Sequence, residues 1–281
     1  MTAVTWVGSP ESARLVDADG VGIYVDRWLP PGHPKAAVHV AHGMGEHARR
    51  YGRLASALCA AGYAVYADDH RGSGRTGLDS GGLGDLGPRG MQGALDALHV
   101  VTAQVRAEHP GLAVHLVGHS WGSFLAQRAV ERWGDELRGV VLSGSTLLVE
   151  QFRPAGDLNA PFHPAATPYD WLTRDAREVA LYIEDPWCGF EVAFPVEELR
   201  DLDGPPAGGV PAGLAVLVLN GSQDAVGGVN GGGAALAEAY RSLGLADVTY
   251  RAYPGGRHEL FNETNRDEVT ADLIAWLDDR V

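Results

Sequence analysis

Cysteine is almost absent from this chain: Cys59 and Cys188 are the only two in 281 residues. Two widely separated cysteines make neither a disulfide framework nor a C-x-x-C metal spacing, and both read as reduced, inert thiols. Basic residues are also scarce, 22 Lys and Arg against 36 Asp and Glu, for a formal net charge of −14. Phosphate-backbone binding needs a basic patch, so no nucleic-acid partner is expected. An anionic membrane surface likewise does not attract such a chain, and the acidity reads as a solubility feature. Long apolar runs are missing, since no uninterrupted stretch approaches the ~20 residues of a spanning helix. Met1–Pro10 lacks the basic start and apolar run of a secretory signal. A soluble, cytoplasmic protein without integral membrane contact is expected. No H-E-x-x-H occurs, no repeat is found, and neither a metal nor another cofactor is expected.

What is present is an alternation of short apolar runs and longer helix-like stretches, which implies a mostly parallel sheet covered on both faces. Val21–Leu29 alternates and reads as an outer antiparallel strand. Ala36–Ala41, Tyr63–Ala67, Ala113–Val117, Gly139–Ser143, Ala215–Leu219 and Val248–Tyr253 are compact runs of the kind buried parallel strands require. Arg50–Ala61, Gly90–Glu108, Trp121–Trp133, Gly231–Leu243 and Asp267–Asp279 carry apolar residues at helical spacing. Gly62, Gly134 and Gly244 follow three of them, where a left-handed terminating residue is expected.

The rhythm breaks between residues 146 and 210. Pro154, Pro161, Pro164, Pro168, Pro186 and Pro195 divide this stretch, and Phe152, Phe162, Tyr169, Trp171, Tyr182, Trp187, Phe190 and Phe194 enrich it in aromatics. An aromatic insertion between core strands reads as a cap over a pocket, with Leu172–Ile183 as a helix inside it. The expected organisation is therefore a core of residues 1–145 and 211–281 with a cap at 146–210. Phe152 and Trp171 are candidates to face the substrate channel.

Gly118-His119-Ser120-Trp121-Gly122 matches G-x-S-x-G, follows an apolar strand and opens a helical run. That context makes Ser120 a candidate nucleophile on a sharp strand-to-helix turn. A serine hydroxyl needs an imidazole to take its proton and a carboxylate to hold that imidazole. Asp224 closes a turn directly after the run Leu217–Leu219, whereas Asp203 and Asp247 follow no core strand. His258 lies in the loop after Val248–Tyr253. The chain order Ser, Asp, His is that of an α/β-hydrolase. The attacked carbonyl oxygen then needs N–H donors. Trp121, next to the nucleophile, and Met44, in His42-Gly43-Met44-Gly45 after an early strand, are the candidates. His42 and Gly43 are candidate substrate contacts in the same loop. Gly72-Ser73-Gly74-Arg75-Thr76-Gly77 spells G-x-G-x-x-G, but Asp68–Arg71 separates it from its strand, so it reads as a loop rather than a dinucleotide site.

Several longer motifs resemble the monoacylglycerol lipase and lysophospholipase branch of the α/β-hydrolases, which includes the serine aminopeptidase-type hydrolases. They are His42–His47 with Arg50-Tyr51, Asp68–Gly74, the Gly-His-Ser-x-Gly elbow, Asp170–Asp175 with Asp185-Pro186, and His258–Glu263. The resemblance implies an α/β-hydrolase fold with an eight-stranded sheet and a lid. It also implies cofactor-free hydrolysis of monoacylglycerol-like or lysophospholipid-like esters. By position it assigns nucleophile, acid and base to Ser120, Asp224 and His258, and the oxyanion donors to Met44 and Trp121. Trp121 stands where a smaller or flexible side chain is usual, and Ala225 follows Asp224 where Pro is common. The partner implied is a small lipid-like ester, and any contact with a lipid surface would be transient and through the cap. Lactonase, carbon–carbon bond hydrolase, perhydrolase and acyltransferase chemistry reuse the same triad and stay open, as does a non-catalytic small-molecule receptor.

Overall fold

A computed structural model describes residues 4–6, 10–152, 156–191 and 200–281. Pro154, Phe194 and Pro195 lie outside the described residues. Eight strands form one sheet: β1 (Glu11–Val16), β2 (Gly22–Trp28), β3 (Ala36–Ala41), β4 (Tyr63–Asp68), β5 (Val114–His119), β6 (Gly139–Ser143), β7 (Ala215–Gly221) and β8 (Val248–Tyr253). The order is β1-β2-β4-β3-β5-β6-β7-β8. β1 and β2 run antiparallel to their neighbours, and all other pairs are parallel. β1 is the strand that no apolar run announces. Its burial alternates along the strand, with Ala13 and Leu15 inward and Arg14 and Val16 outward, so its apolar residues form no continuous run, and it displaces β2 from the edge position expected for it.

Seven helices accompany the sheet among the described residues: α1 (Gly52–Ala60), α2 (Gly74–Ser80), α3 (Gly90–Glu108), α4 (Trp121–Trp133), α5 (Ala176–Glu184), α6 (Gly232–Ser242) and α7 (Arg266–Asp278). Buried faces of α1 and α7 pack with one side of the sheet, those of α3, α4 and α6 with the other. The central strands β3 to β7 are buried throughout, which is why they read as continuous apolar runs rather than alternating ones.

Three local expectations are corrected. Residues 74–80, read as loop, form α2. Asp69 accepts from one N–H of the helix's first turn, that of Arg75, at 3.1 Å, and also from the Arg75 side chain at Nε, 2.6 Å. Gly62 and Gly244 are left-handed as expected, but Gly134 has φ −60° and continues into a short 3-10 turn. Its glycine answers to space instead, since a Cβ there would sit 2.5 Å from Pro211 Cδ. The helix of the 146–210 segment begins later than expected, at Ala176, because Asp175 caps it by accepting from Arg177 N–H.

The site follows from the strand order. The chain leaves β3 for β4 on one side and returns to β5 on the other, and ligands in open α/β sheets bind at the carboxyl ends around such a reversal. Ala41 lies opposite Gly118 in the β3–β5 register, so the loop starting at His42 and the turn at Ser120 emerge side by side. Gly221 lies opposite Tyr253 in β7–β8, which joins the loops carrying Asp224 and His258.

Candidate active site

Ser120 has φ 50° and ψ −120°. A left-handed non-glycine residue costs about 1–3 kcal/mol and needs its surroundings to hold it. Here its N–H donates to Ser143 O at 2.9 Å, and its carbonyl accepts from Ser123 N–H, Phe124 N–H and Ser123 Oγ. The flanking glycines are required for room. A Cβ on Gly118 would lie 2.6 Å from Gly122 O, and one on Gly122 would lie 2.3 Å from Ala41 O.

Asp224 and His258 are both buried and joined at 2.9 Å through Oδ1 and Nδ1. The carboxylate also accepts from Val226 N–H at 2.9 Å and Asn220 Nδ2 at 3.0 Å. Burial alone would raise the Asp224 pKa, but the His258 charge and these donors hold it below the usual carboxylate range. Burial alone would lower that of His258, yet Asp224, with Glu259 and Glu46 nearby, raises it overall. The imidazole is therefore built to carry a proton when one arrives. His258 Nε2 is buried and has no hydrogen-bond partner among the described residues, Ser120 Oγ included. Trp171 lies against the His258 ring at 4.9 Å between centroids, and His119 approaches its other surroundings at 4.7 Å.

The loop after β3 is held from three directions. His42 is fully buried. Its Nδ1 is 2.7 Å from Gly43 O, and its Nε2 accepts from His70 N–H at 3.0 Å. That second bond fixes the tautomer, so Nδ1 donates. Burial and the neighbouring His70 push the His42 pKa well down, keeping the ring neutral. In a trans peptide the carbonyl and the next N–H point in opposite directions, so anchoring Gly43 O orients the Met44 N–H. Neither the Met44 nor the Trp121 N–H is bonded to another described residue. Gly43 N–H donates to Glu46 Oε1 at 2.5 Å, and Tyr51 OH donates to the same oxygen at 2.7 Å. Arg50 bridges Glu46 at 2.5 Å and takes Glu259 through two bonds of 2.6 and 2.7 Å. The Tyr182 hydroxyl, from α5, donates to Gly45 O at 2.8 Å.

A cavity of about 740 Å³ opens onto Ser120. Met44, Trp121, Phe124, Trp171, Tyr182 and Phe190 contribute to an apolar wall, and no Lys or Arg lines it among the described residues. Its carboxyl groups are Glu191 and Asp203.

Residues 32–265 match the family described as Serine aminopeptidase, S33. The chain belongs to this S33 family. Among its relatives, a monoacylglycerol lipase of Mycolicibacterium smegmatis is 32% identical over 272 residues, covering 92% of this chain and 93% of that protein. A human monoglyceride lipase is 30% identical over 293 residues, covering 95% and 90%. Among solved structures, a thermostable carboxyl esterase from Bacillus coagulans superposes with a TM-score of 0.86 at 27% identity, over 100% of this chain and 99% of that one. The eight-stranded, mostly parallel sheet is that of an α/β-hydrolase.

Within this S33 chain, Ser120, Met44, Trp121 and Trp171 meet at the cavity, and Asp224 and His258 meet each other beside it. Three expected contacts, His42, Gly43 and Phe152, are not among the residues lining the cavity, and Gly43 N–H is taken by Glu46. His42 sits beneath the loop rather than on the cavity wall, because both its nitrogens serve the backbone. Phe152 does not line the cavity; its carbonyl instead accepts from Thr146 Oγ1 and Asn230 Nδ2. Trp121 turns its indole into the core, with Nε1 3.4 Å from Met91 Sδ. The Glu46–Arg50–Glu259 network has no signature of its own in the sequence. Its members stand inside quoted motifs, but Arg50 and Glu259 are 209 residues apart, and no local pattern pairs them. No helix of the described residues is long and apolar enough to cross a membrane.

Proposed function

We propose that this carboxylic ester hydrolase cleaves neutral monoacylglycerol-like esters, with Ser120 as nucleophile, His258 as base and Asp224 as its orienting acid. The cavity carries this reading: it ends at Ser120, and its described wall is mostly apolar, with Met44, Phe124, Leu148, Leu158, Trp171 and Phe190 placed to take an acyl chain. A glycerol headgroup is uncharged and needs only hydrogen-bonding partners, such as the Glu191 carboxylate on the cavity wall. The names of the bacterial and human relatives agree with that substrate class.

In the mechanism, rotation of the Ser120 side chain brings its hydroxyl to His258 Nε2, a contact that tightens once substrate is bound. His258 takes the proton as Ser120 Oγ attacks the ester carbonyl. The carbonyl oxygen, now an anion, is held by the unengaged Met44 and Trp121 N–H groups, each worth about 2.7–4 kcal/mol. Collapse expels glycerol, which receives the proton from His258 and leaves an acyl-Ser120 ester. Water, deprotonated by His258, attacks that ester, and fatty acid departs as Ser120 regains its proton. Residues 146–210 act as the cap, with Trp171 over His258 and Tyr182 tied to Gly45.

Hydrolysis of monoacylglycerol, lysophospholipid and a chain-length series of nitrophenyl esters by wild type and Ser120→Ala tests this. Loss of all three activities and of fluorophosphonate labelling in a folded Ser120→Ala protein is expected, with monoacylglycerol the preferred substrate of the wild type. Turnover by Ser120→Ala near the wild-type rate would remove the nucleophile assignment. Preference for lysophospholipid would remove the assignment of a neutral monoacylglycerol-like substrate.

A further inference from the structure

A second constellation of reactive side chains lies where the cap meets the oxyanion loop, and the ester chemistry does not use it. His47 follows Glu46 in that loop, and Asp185 and Cys188 lie in the turn just after α5. One imidazole nitrogen, one carboxylate oxygen and the Cys188 sulfur all lie within 4.8 Å of one another. We propose that His47, Asp185 and Cys188 form a zinc-binding site that clamps the cap turn to the oxyanion loop.

The donor set argues for zinc. Thiolate, imidazole and carboxylate together suit a borderline-soft ion, whereas magnesium and calcium take oxygen ligands. Ligand atoms around a tetrahedral zinc ion, at roughly 2.0–2.3 Å from the metal, stand on the order of 3.5 Å apart. The three donors lie within 4.8 Å of one another, and the His47 and Asp185 atoms are 2.9 Å apart. The segment bearing two of them is ordered by its own bonds. Trp187 N–H donates to Asp185 Oδ1 at 2.9 Å, Cys188 N–H to Asp185 O at 3.0 Å, and Gly189 N–H to Gly45 O at 2.9 Å.

His47 is only 5% exposed. Its Nε2 is 2.9 Å from Asp185 Oδ2, while its Nδ1 is buried without a partner among the described residues. Without metal the Asp185 carboxylate, which only accepts, keeps the proton on Nε2; the unpartnered Nδ1 can take that proton when Nε2 gives its lone pair to the metal. The side chain of Asp185 is 30% exposed, which leaves a route from solvent. Binding replaces the Cys188 S–H bond by a Zn–S bond and releases that proton to solvent, and water completes the coordination. Burial holds the Cys188 thiol protonated above its ordinary range, so zinc must displace a proton and binds more tightly as pH rises.

Titration calorimetry with zinc sulfate on the chelator-treated full chain tests the site. One ion per chain is expected for wild type and for Cys59→Ser, with at least tenfold weaker binding for Cys188→Ser and for Asp185→Asn. Cobalt(II) should give a thiolate-to-metal charge-transfer absorption in wild type and Cys59→Ser that Cys188→Ser lacks. Zinc should also slow hydrogen exchange in residues 45–48 and 185–189. The absence of saturable zinc binding by wild type, or equal affinity in folded Cys188→Ser, would overturn the site. Binding with no change in exchange would overturn the clamp.

Discussion

Replacing Asp224 by Asn changes one oxygen of a fully buried group into an NH2, and the structure dictates which one. Oδ1 accepts from both His258 Nδ1 and Val226 N–H, while Oδ2 accepts only from Asn220 Nδ2. Turning the new amide towards His258 breaks two bonds and leaves donors facing donors. Turning it towards Asn220 breaks one. At about 1 kcal/mol or more per bond, the second orientation wins, so His258 keeps its Nδ1–H and its tautomer. What it loses is the negative charge beside the imidazolium formed in the transition state. Opposite charges about 4 Å apart interact by about 4 kcal/mol at an effective dielectric constant of 20. The expected loss in kcat/KM is therefore about 10³-fold at 1.36 kcal/mol per decade. Because Asp224 raises the His258 pKa and the base acts unprotonated, the acid limb of the kcat/KM profile should also move to lower pH. Nitrophenyl ester hydrolysis across pH 5–9 measures both effects. A loss below tenfold, or an unmoved acid limb in a folded variant, would refute the electrostatic account.

Other substitutions probe the supporting structure. Glu46→Gln leaves Arg50 with Glu259 but places an amide N–H against the guanidinium. It should lower unfolding free energy by about 2–3 kcal/mol, below the range for stranding a buried charge because one carboxylate remains. Its kcat should fall more than KM changes, since Gly43 N–H loses its charged acceptor; steady-state kinetics with denaturant unfolding would show otherwise if both stay at wild-type values. Trp171→Ala removes a cavity wall and the ring lying on His258, so KM for long-chain esters should rise by about tenfold with a smaller effect on acetyl esters. An equal effect on both chain lengths would argue against an acyl contact. Burial lowers the pKa values of His115 and His119 to about 4. Below about pH 6.5 the unfolded chain takes up protons that these folded rings refuse, so stability falls with acidification, by about 2 kcal/mol per histidine at pH 5. His258, whose pKa is raised, contributes in the opposite sense. Denaturant curves at pH 7.5 and 5 should show a shallower drop for His115→Leu, and an identical drop would contradict the assignment.

The parts of the fold legible from the chain are those written in local pattern. Buried parallel strands must be apolar on both faces, so β3 to β7 announce themselves, and the elbow motif locates Ser120 because a strand precedes it and a helix follows. β1 escaped because one of its faces is solvated and its apolar content is diluted. α2 escaped because a glycine-rich start looks like loop until Asp69, buried under it, accepts from the Arg75 N–H in its first turn and from the Arg75 side chain.

Sequence alone determined the fold class, the chain order of Ser120, Asp224 and His258, and the loop containing Met44, since each depends on residue type beside a strand end. Tertiary structure decided the rest. It placed His42 under the oxyanion loop instead of in the cavity, paired Arg50 with Glu259 across 209 residues, and brought His47 to Asp185 across 138. Hydrogen bonds and metal-ligand spacings act over about 3 Å, and chain separation carries no information about such distances until the strands are ordered in the sheet.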